Sequence, residues 1–220
     1  MKKRLLIAGI PLELSYVYDT YLTERIHPYE DDTIVPTHRI IVEVKSDFIP
    51  VHTSPLFRHK NRLLFREEKS NILMVRNEES GQFSHQIIYD DDYVNVFLYL
   101  NPILQERLPD LEYLLSGVFF YEMALTKGLL TMHASAVVHQ GRAWIFSAPS
   151  GVGKSTLANW FLEAYEEDFI LNDDKPLLEQ TPNGFLVHGS PWSGKTSQQA
   201  NLSVPLGPII FLSQGQTNQV

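Results

Sequence analysis

Short runs of apolar residues, broken by polar or Pro/Gly positions, dominate the first hundred residues. HRIIVEV (38–44), RLLFRE (62–67), NILMVRN (71–77), HQIIYDD (85–91) and VNVFLYL (94–100) are rich in β-branched and aromatic side chains, the pattern of strands. The opening segment MKKRLLIAGIPLEL reads as a first strand, and NEESGQFS as a hairpin connection. LTERIHPYEDD holds a short helix that ends before Pro28, because the residue preceding proline disfavours the helical conformation. After Pro109 the period changes. Leu111, Leu114, Leu115, Val118, Phe119 and Tyr121 follow a helical spacing with little polar face, so this helix is expected to be buried between layers. Asp110 is placed to cap it and Gly128 to end it.

From residue 132 the order becomes strand, strand, helix, strand, hairpin, strand. ASAVVHQG and RAWIFSA form a hairpin around Gln140 and Gly141, and KPLLEQTPNGFLVHG a second one at Asn183-Gly184, a strong hairpin signal. TLANWFLEAY reads as an amphipathic helix with Leu157, Trp160, Phe161, Ala164 and Tyr165 along one side. FILNDD and GPIIFLSQG are further strands. The expected class is α/β, with a β-rich region over 1–108, a linking buried helix over 109–131 and a mixed-sheet phosphate-loop domain over 132–220. No helix follows the last strand. That is abrupt for an α/β domain, and a fragment truncated at its C-terminus is one expectation.

Composition narrows the partners. The 220 residues are 44% hydrophobic and 20% charged, enough to bury a sizeable core. A net charge of −8 argues against nonspecific binding to nucleic acid or to an anionic membrane. With no cysteine, disulfide frameworks and thiolate metal sites are excluded and a cytoplasmic location fits. Met1–Leu14 lacks a cleavage site, and the helix after Pro109 carries Glu112, Glu122 and Lys127, so neither reads as a signal peptide or a membrane span. Asp90–Asp92 reads as a solvated strand end.

Two segments compete for the role of a phosphate loop. GSPWSGKT, residues 189–196, fits G-x-x-x-x-G-K-[ST] at every letter; APSGVGKS, residues 148–155, has Ala148 at the first glycine position. A phosphate loop needs a strand before it, glycines that let backbone N–H groups converge, and a helix starting at once. Only the second segment has that context. SQQANLSVP after Lys195 offers almost no apolar face, and Pro205 ends any helix early. Phosphate binding is therefore assigned to Ser147–Thr156, with Pro149, Ser150, Gly151, Val152, Gly153, Lys154, Ser155 and Thr156 as nucleotide-binding residues.

The stretch MHASAVVHQGRAWIFSAPSGVGKSTLANWF, followed by ILNDD, resembles the HPr kinase/phosphorylase family, and more loosely the nucleotide site of ATP-dependent phosphoenolpyruvate carboxykinases. The resemblance spans about residues 128–218 and rests on His133–Val137, Gly153–Thr156, Asp173–Asp174, Pro191–Lys195 and Pro205–Leu206. It implies the fold of that family, ATP and Mg²⁺ as cofactors, and a protein or peptide serine as acceptor. Lys154 would bind the β/γ phosphates, Ser155 and Asp173 would hold the metal, and Asp174 would take the proton from the acceptor hydroxyl. His133 stands at an active-site histidine. Three departures stand out: Ala148, the absence of a match for a second metal-binding glutamate, and a short chain end. The first half lacks a clear regulatory domain of the HPr kinase type.

Each residue also has an ordinary reading. Asp173–Asp174 could be a solvated turn and His133 a strand-end histidine bonded to backbone. Lys195 is either a surface lysine or a second cation that reaches the phosphates. His139 and His188 are read as structural. Two other functions stay open: a nucleotide-binding module without catalysis, and a carboxykinase-like enzyme acting on a small acid. Self-association is also left open.

Overall fold

In the computed structural model, which describes residues 1–104, 107–194, 196–213 and 215, the first apolar run turns back on itself. β1 (Lys2–Ile7) and β2 (Ile10–Ser15) pair antiparallel. Ala8 and Gly9 between them have φ of 48° and 78°, the positive pair that a tight two-residue hairpin turn requires. The expected single strand is thus a hairpin. Alanine hides the turn, because it carries none of the usual turn chemistry.

The chain divides into two units, Met1–Thr126 and Lys127–Val220. The first contains α1 (Leu22–Ile26), β3 (His38–Val44), β4 (Phe57–His59), β5 (Arg62–Glu67), β6 (Ser70–Arg76), β7 (Phe83–Asp90), β8 (Asn95–Leu100) and α2 (Leu108–Thr126). Its strands form one mixed sheet in the order β1-β2-β3-β8-β7-β6-β5-β4. The pairs β2/β3 and β3/β8 are parallel. Leu5, Leu12, Leu14, Ile40, Val96 and Leu98 are fully buried. α2 packs on β3 and β8 and buries Glu112, whose carboxylate accepts the Val17 and Tyr18 N–H groups at 2.6 and 2.9 Å. Burial pushes that carboxyl above its usual range. Asp110 lies inside the helix and accepts the Tyr21 hydroxyl at 2.6 Å, so it is not the cap. Leu114 and Leu125 are more than half exposed; the helix buries one face only. Asp90 accepts the Val94 and Asn95 N–H groups, and Asp91 pairs with Arg66, so the first two acids of the run serve the structure, and Asp92 is exposed.

The second unit contains β9 (Leu129–Thr131), β10 (Ala134–His139), β11 (Arg142–Ser147), α3 (Lys154–Ala164), β12 (Phe169–Asp174), β13 (Leu177–Thr181), β14 (Gly184–His188) and β15 (Ser203–Phe211). The sheet order is β12-β10-β11-β15-β14-β13-β9. β15 joins its two parts. Ser203–Pro205 pair antiparallel with β14, and residues from Leu206 on pair parallel with β11. β10 is buried along its whole length. One face of the β10–β12 region packs Ala134, Ala136, Val138, Ile145 and Leu171 together, and the other packs Val137, Phe146 and Ile170 under Ala158 of α3. Leu157, Phe161 and Leu162 complete that cover, whereas Trp160 is 59% exposed. The buried side of α3 is therefore rotated from the expected one.

The expected α/β class, a mixed-sheet phosphate-loop domain of the HPr kinase/phosphoenolpyruvate carboxykinase type, is corrected by this architecture. Among the described residues strand makes up 43% and helix 18%, in two mixed, curled sheets with three α-helices. Parallel layered folds need a crossover helix for each strand pair. Here tight turns join β10 to β11 and β13 to β14 as antiparallel pairs, and the described residues of the second unit hold one α-helix. One strand–loop–helix passage in the sequence does not set the class of the whole.

His85 of β7 gives the first unit an acid sensitivity. Burial, assisted by the charge of Arg62, lowers its pKa from 6.5 to about 4. Between those values the unfolded chain binds a proton that the native ring does not, so stability falls as pH falls across that window. Urea unfolding at a series of pH values should show a shallower loss for His85→Gln than for the wild type. Parallel profiles would contradict this.

Candidate functional site

β10 runs antiparallel to both of its neighbours, β11 and β12. The start of β10 therefore meets the ends of the other two, and the site residues gather there. Ala134 faces Ser147 on one side and Asp174 on the other; Ser135 faces Asp173.

The segment after β11 makes a loop and enters α3 directly. Gly151 and Gly153 have φ of 83° and 112°, and a Cβ on either would meet nothing within 4 Å. These glycines serve backbone conformation in front of open space, as a loop that presents N–H groups to an anion requires. Lys154 opens the helix, and its ammonium donates to the Ala148 carbonyl at 2.9 Å and lies 3.2 Å from His133 Nε2. His133 Nδ1 is 3.1 Å from Asp174 Oδ1. With Lys154 donating to Nε2, the network assigns the proton to Nδ1, which donates to Asp174.

Asp173 is 7% exposed, and three hydroxyls from distant positions donate to it. Ser135 reaches Oδ1 at 2.5 Å, Ser155 reaches Oδ1 at 3.0 Å and Thr196 reaches Oδ2 at 3.1 Å. Neither carboxylate of the pair is a free solvated turn. Asn172, fully buried, holds the turn from below. Its Oδ1 accepts the Asp174 and Lys175 N–H groups at 3.1 and 2.7 Å, and its amide donates to Ser190 O and Oγ at 3.0 and 3.2 Å.

The second loop, 189–196, arrives at the same carboxylates for a different physical reason. A Cβ on Gly189 would lie 2.0 Å from the Ala200 carbonyl and 2.7 Å from that of Leu171. Gly194, at φ 72°, would place a Cβ 2.9 Å from Asp174 Cβ. The glycines that complete the letter-perfect motif are thus packing glycines that press this loop onto β12 and Asp174. Trp192 and Ser193 are buried. Lys195 lies outside the described residues.

The residues Pro149, Ser150, Val152 and Thr156 sit in or beside the first loop, from which Ser155 bonds Asp173 and Lys154 bonds His133. Sequence reasoning passed over Ser135, Asn172 and Thr196. Ser135 lies within the quoted His133–Val137 segment, Asn172 precedes the acid pair, and Thr196 follows the second Gly-Lys. Among the described residues, the groups a metal here would meet on Asp173 are oxygen donors: Ser155 Oγ, Thr196 Oγ1 and the carboxylate itself. That set suits magnesium, which uses one or two carboxylates and completes its shell with phosphates and water.

His139 and His188 are elsewhere. Asp168 bonds His139 Nδ1 at 2.7 Å within an aromatic cluster of Trp144, Phe161 and Tyr165. A cleft of about 530 Å³ lined by His139, Tyr165 and Asp168 lies at the opposite end of β10 from the carboxylate pair. His188 bonds Ser203 and Glu179; burial lowers its pKa, and Glu179 opposes that shift.

No family model matches the chain, and no curated protein matches it. Among the described residues no helix is long and apolar enough to cross a membrane.

The two kinds of glycine differ in their expected cost. Gly189→Ala forces a Cβ against two backbone oxygens and should destabilise the second unit by about 3 kcal/mol or more. Gly151→Ala pays only the left-handed conformation, about 1–2 kcal/mol. Denaturant unfolding of the two variants measures the difference, and equal losses would contradict the packing assignment.

Proposed function

We propose that the second unit is an ATP- and Mg²⁺-dependent phosphotransferase that moves the γ-phosphoryl group to a hydroxyl, serine being the implied type, on a protein or peptide. The observation that carries the reading is the junction of Lys154, His133 and Asp174 in one hydrogen-bonded chain, beside the Ser155–Asp173 contact. The sequence resemblance to the HPr kinase/phosphorylase family gives those residues matching roles. The reading rests on the site and not on the overall architecture.

The chemistry needs charge neutralisation and an aligned acceptor. Backbone N–H groups of residues 150–153 and the start of α3 would meet the phosphates, and Lys154 would exchange its loop carbonyls for β/γ-phosphate oxygens. Ser155 and Asp173 would hold the magnesium, which would withdraw charge from the phosphate oxygens. Asp174 accepts the proton of the acceptor hydroxyl while that oxygen bonds to the γ-phosphorus; the bond from phosphorus to the β–γ bridging oxygen breaks and ADP leaves. His133 orients the Asp174 carboxylate through its Nδ1–H. Lys195, if it reaches the phosphates, supplies a second positive charge. A cytoplasmic setting supplies both ATP and magnesium.

Three substitutions separate the roles. Lys154→Ala should abolish measurable ATP affinity, whereas Lys195→Ala should leave nucleotide binding largely intact, as read by calorimetric titration. Asp174→Asn should bind ATP like the wild type and lower transfer to an acceptor peptide by about a hundredfold or more, the range lost with a general base. A reversed pair of lysine effects would move the phosphate site to 189–196. Full ATP binding by the wild type with no transfer to any acceptor would favour a nucleotide-binding module without catalysis.

A further inference from the structure

The chain contains two Gly-Lys-[Ser/Thr] segments, Gly153-Lys154-Ser155 and Gly194-Lys195-Thr196. Their hydroxyls end on opposite oxygens of one carboxylate. Ser155 Oγ donates to Asp173 Oδ1 at 3.0 Å and Thr196 Oγ1 to Oδ2 at 3.1 Å. The remaining donor, Ser135, is 1% exposed and sits on the neighbouring strand, where it anchors the carboxylate. Ser155 is exposed and Thr196 half-buried, so these two hydroxyls can be rearranged by a ligand while Ser135 stays in place.

We infer that Thr196 is a second hydroxyl of the divalent-cation site, and that Gly189–Gly194 together with Thr196 form its other wall. This rests on the reading of Ser147–Thr156 and Asp173 as the ATP–magnesium site. The loop is built for that position. Its base is fixed by Gly189, which fits against the Leu171 and Ala200 carbonyls, and by Ser190, held by the buried amide of Asn172. Its tip touches both acids, through Gly194 at Asp174 and Thr196 at Asp173. A hydroxyl that donates to a carboxylate keeps lone pairs for a hard cation on that carboxylate, and magnesium takes such oxygens, directly or through its waters. Thr196 is placed for this as Ser155 is, one on each oxygen. Asn172 is a positioning residue: it ties the base of the loop and the turn of the acid pair to one side chain. The match of GSPWSGKT to a phosphate-loop pattern then has a physical content other than phosphate cradling. The segment contributes its terminal hydroxyl to the cation side of the same site.

The test uses the full chain, ATP and Mg²⁺, with Mn²⁺ as a paramagnetic probe of the same site. Two quantities are read: the metal concentration needed for half-maximal ATP binding, and the Mn²⁺ resonance spectrum in the presence of ATP. Thr196→Val should raise the metal requirement about tenfold, the lower end of the range for supporting groups of a metal site, and should alter the Mn²⁺ signal. Thr196→Ser, which retains the hydroxyl, should behave like the wild type. Ser155→Ala is the reference for loss of a hydroxyl on the other oxygen. If Ser155→Ala shifts the metal requirement and Thr196→Val does not, the inference is overturned and the ATP–magnesium reading stands. If Thr196→Ser loses as much as Thr196→Val, packing of the methyl group is the cause and the inference is again overturned. If the wild type shows no metal-dependent ATP binding at all, the underlying reading fails with it.

Discussion

A carboxylate taken out of water is costly unless its lone pairs are matched, and Asp173 is the point where the second unit meets that demand. Its partners come from β10, from the start of α3 and from the loop before β15, at positions 135, 155 and 196. Removing any one leaves an acceptor short in a nearly closed setting, so the three segments are held in register by one side chain. The adjacent Asp174 is more open, with 28% side-chain exposure, and faces His133 and through it Lys154. One acid of the pair thus ties the segments together, and the other is more open to solvent.

The sheet makes that convergence possible. A parallel arrangement would put the start of one strand and the end of its neighbour at opposite edges; β10, antiparallel to both β11 and β12, puts them together. Asn172 and Gly189 then bring the second loop across β12. Gln199 bridges Asn172, and the Ala200 N–H donates to Leu171 O, so the loop also covers the exposed side of an edge strand. In the first unit a comparable function falls to Glu112, which satisfies the two N–H groups that follow β2 from within a helix.

What could be read from the sequence follows from which forces are local. The strands at 38–44, 62–67 and 94–100 correspond to β3, β5 and β8, because alternation and β-branched residues act within a few positions. The turn at Gln140–Gly141, where both residues have positive φ, was marked in the sequence by a polar residue and a glycine between two apolar runs. The turn at Ala8–Gly9 did not, since alanine gives no warning of a left-handed backbone. The rotation of α3 was hidden for another reason: Trp160 and Leu162 are both apolar, and only the sheet beneath decides which is buried. At the site, His133, Lys154, Ser155 and the acid pair were visible as motifs. The need for glycine at 189 was not, because it depends on carbonyls at 171 and 200, and neither was the role of Thr196, which depends on a carboxylate 23 residues away in sequence. The class was misjudged because a single strand–loop–helix passage was extended to a chain whose other connections are mostly hairpins and loops.

The proposed function requires one nucleotide site in which Ser147–Thr156 would hold the phosphates and the acid pair would face them. A crystal structure of the chain with Mg²⁺ and a non-hydrolysable ATP analogue tests this most directly. The proposed function predicts the β/γ phosphates over the N–H groups of residues 150–153, with Lys154 on the γ-phosphate, Ser155 and Asp173 on the cation, and an Asp174 oxygen facing the γ-phosphorus across a gap that fits a hydroxyl. Phosphates seated on residues 189–196, or a nucleotide bound away from Asp173 and Asp174, would contradict it.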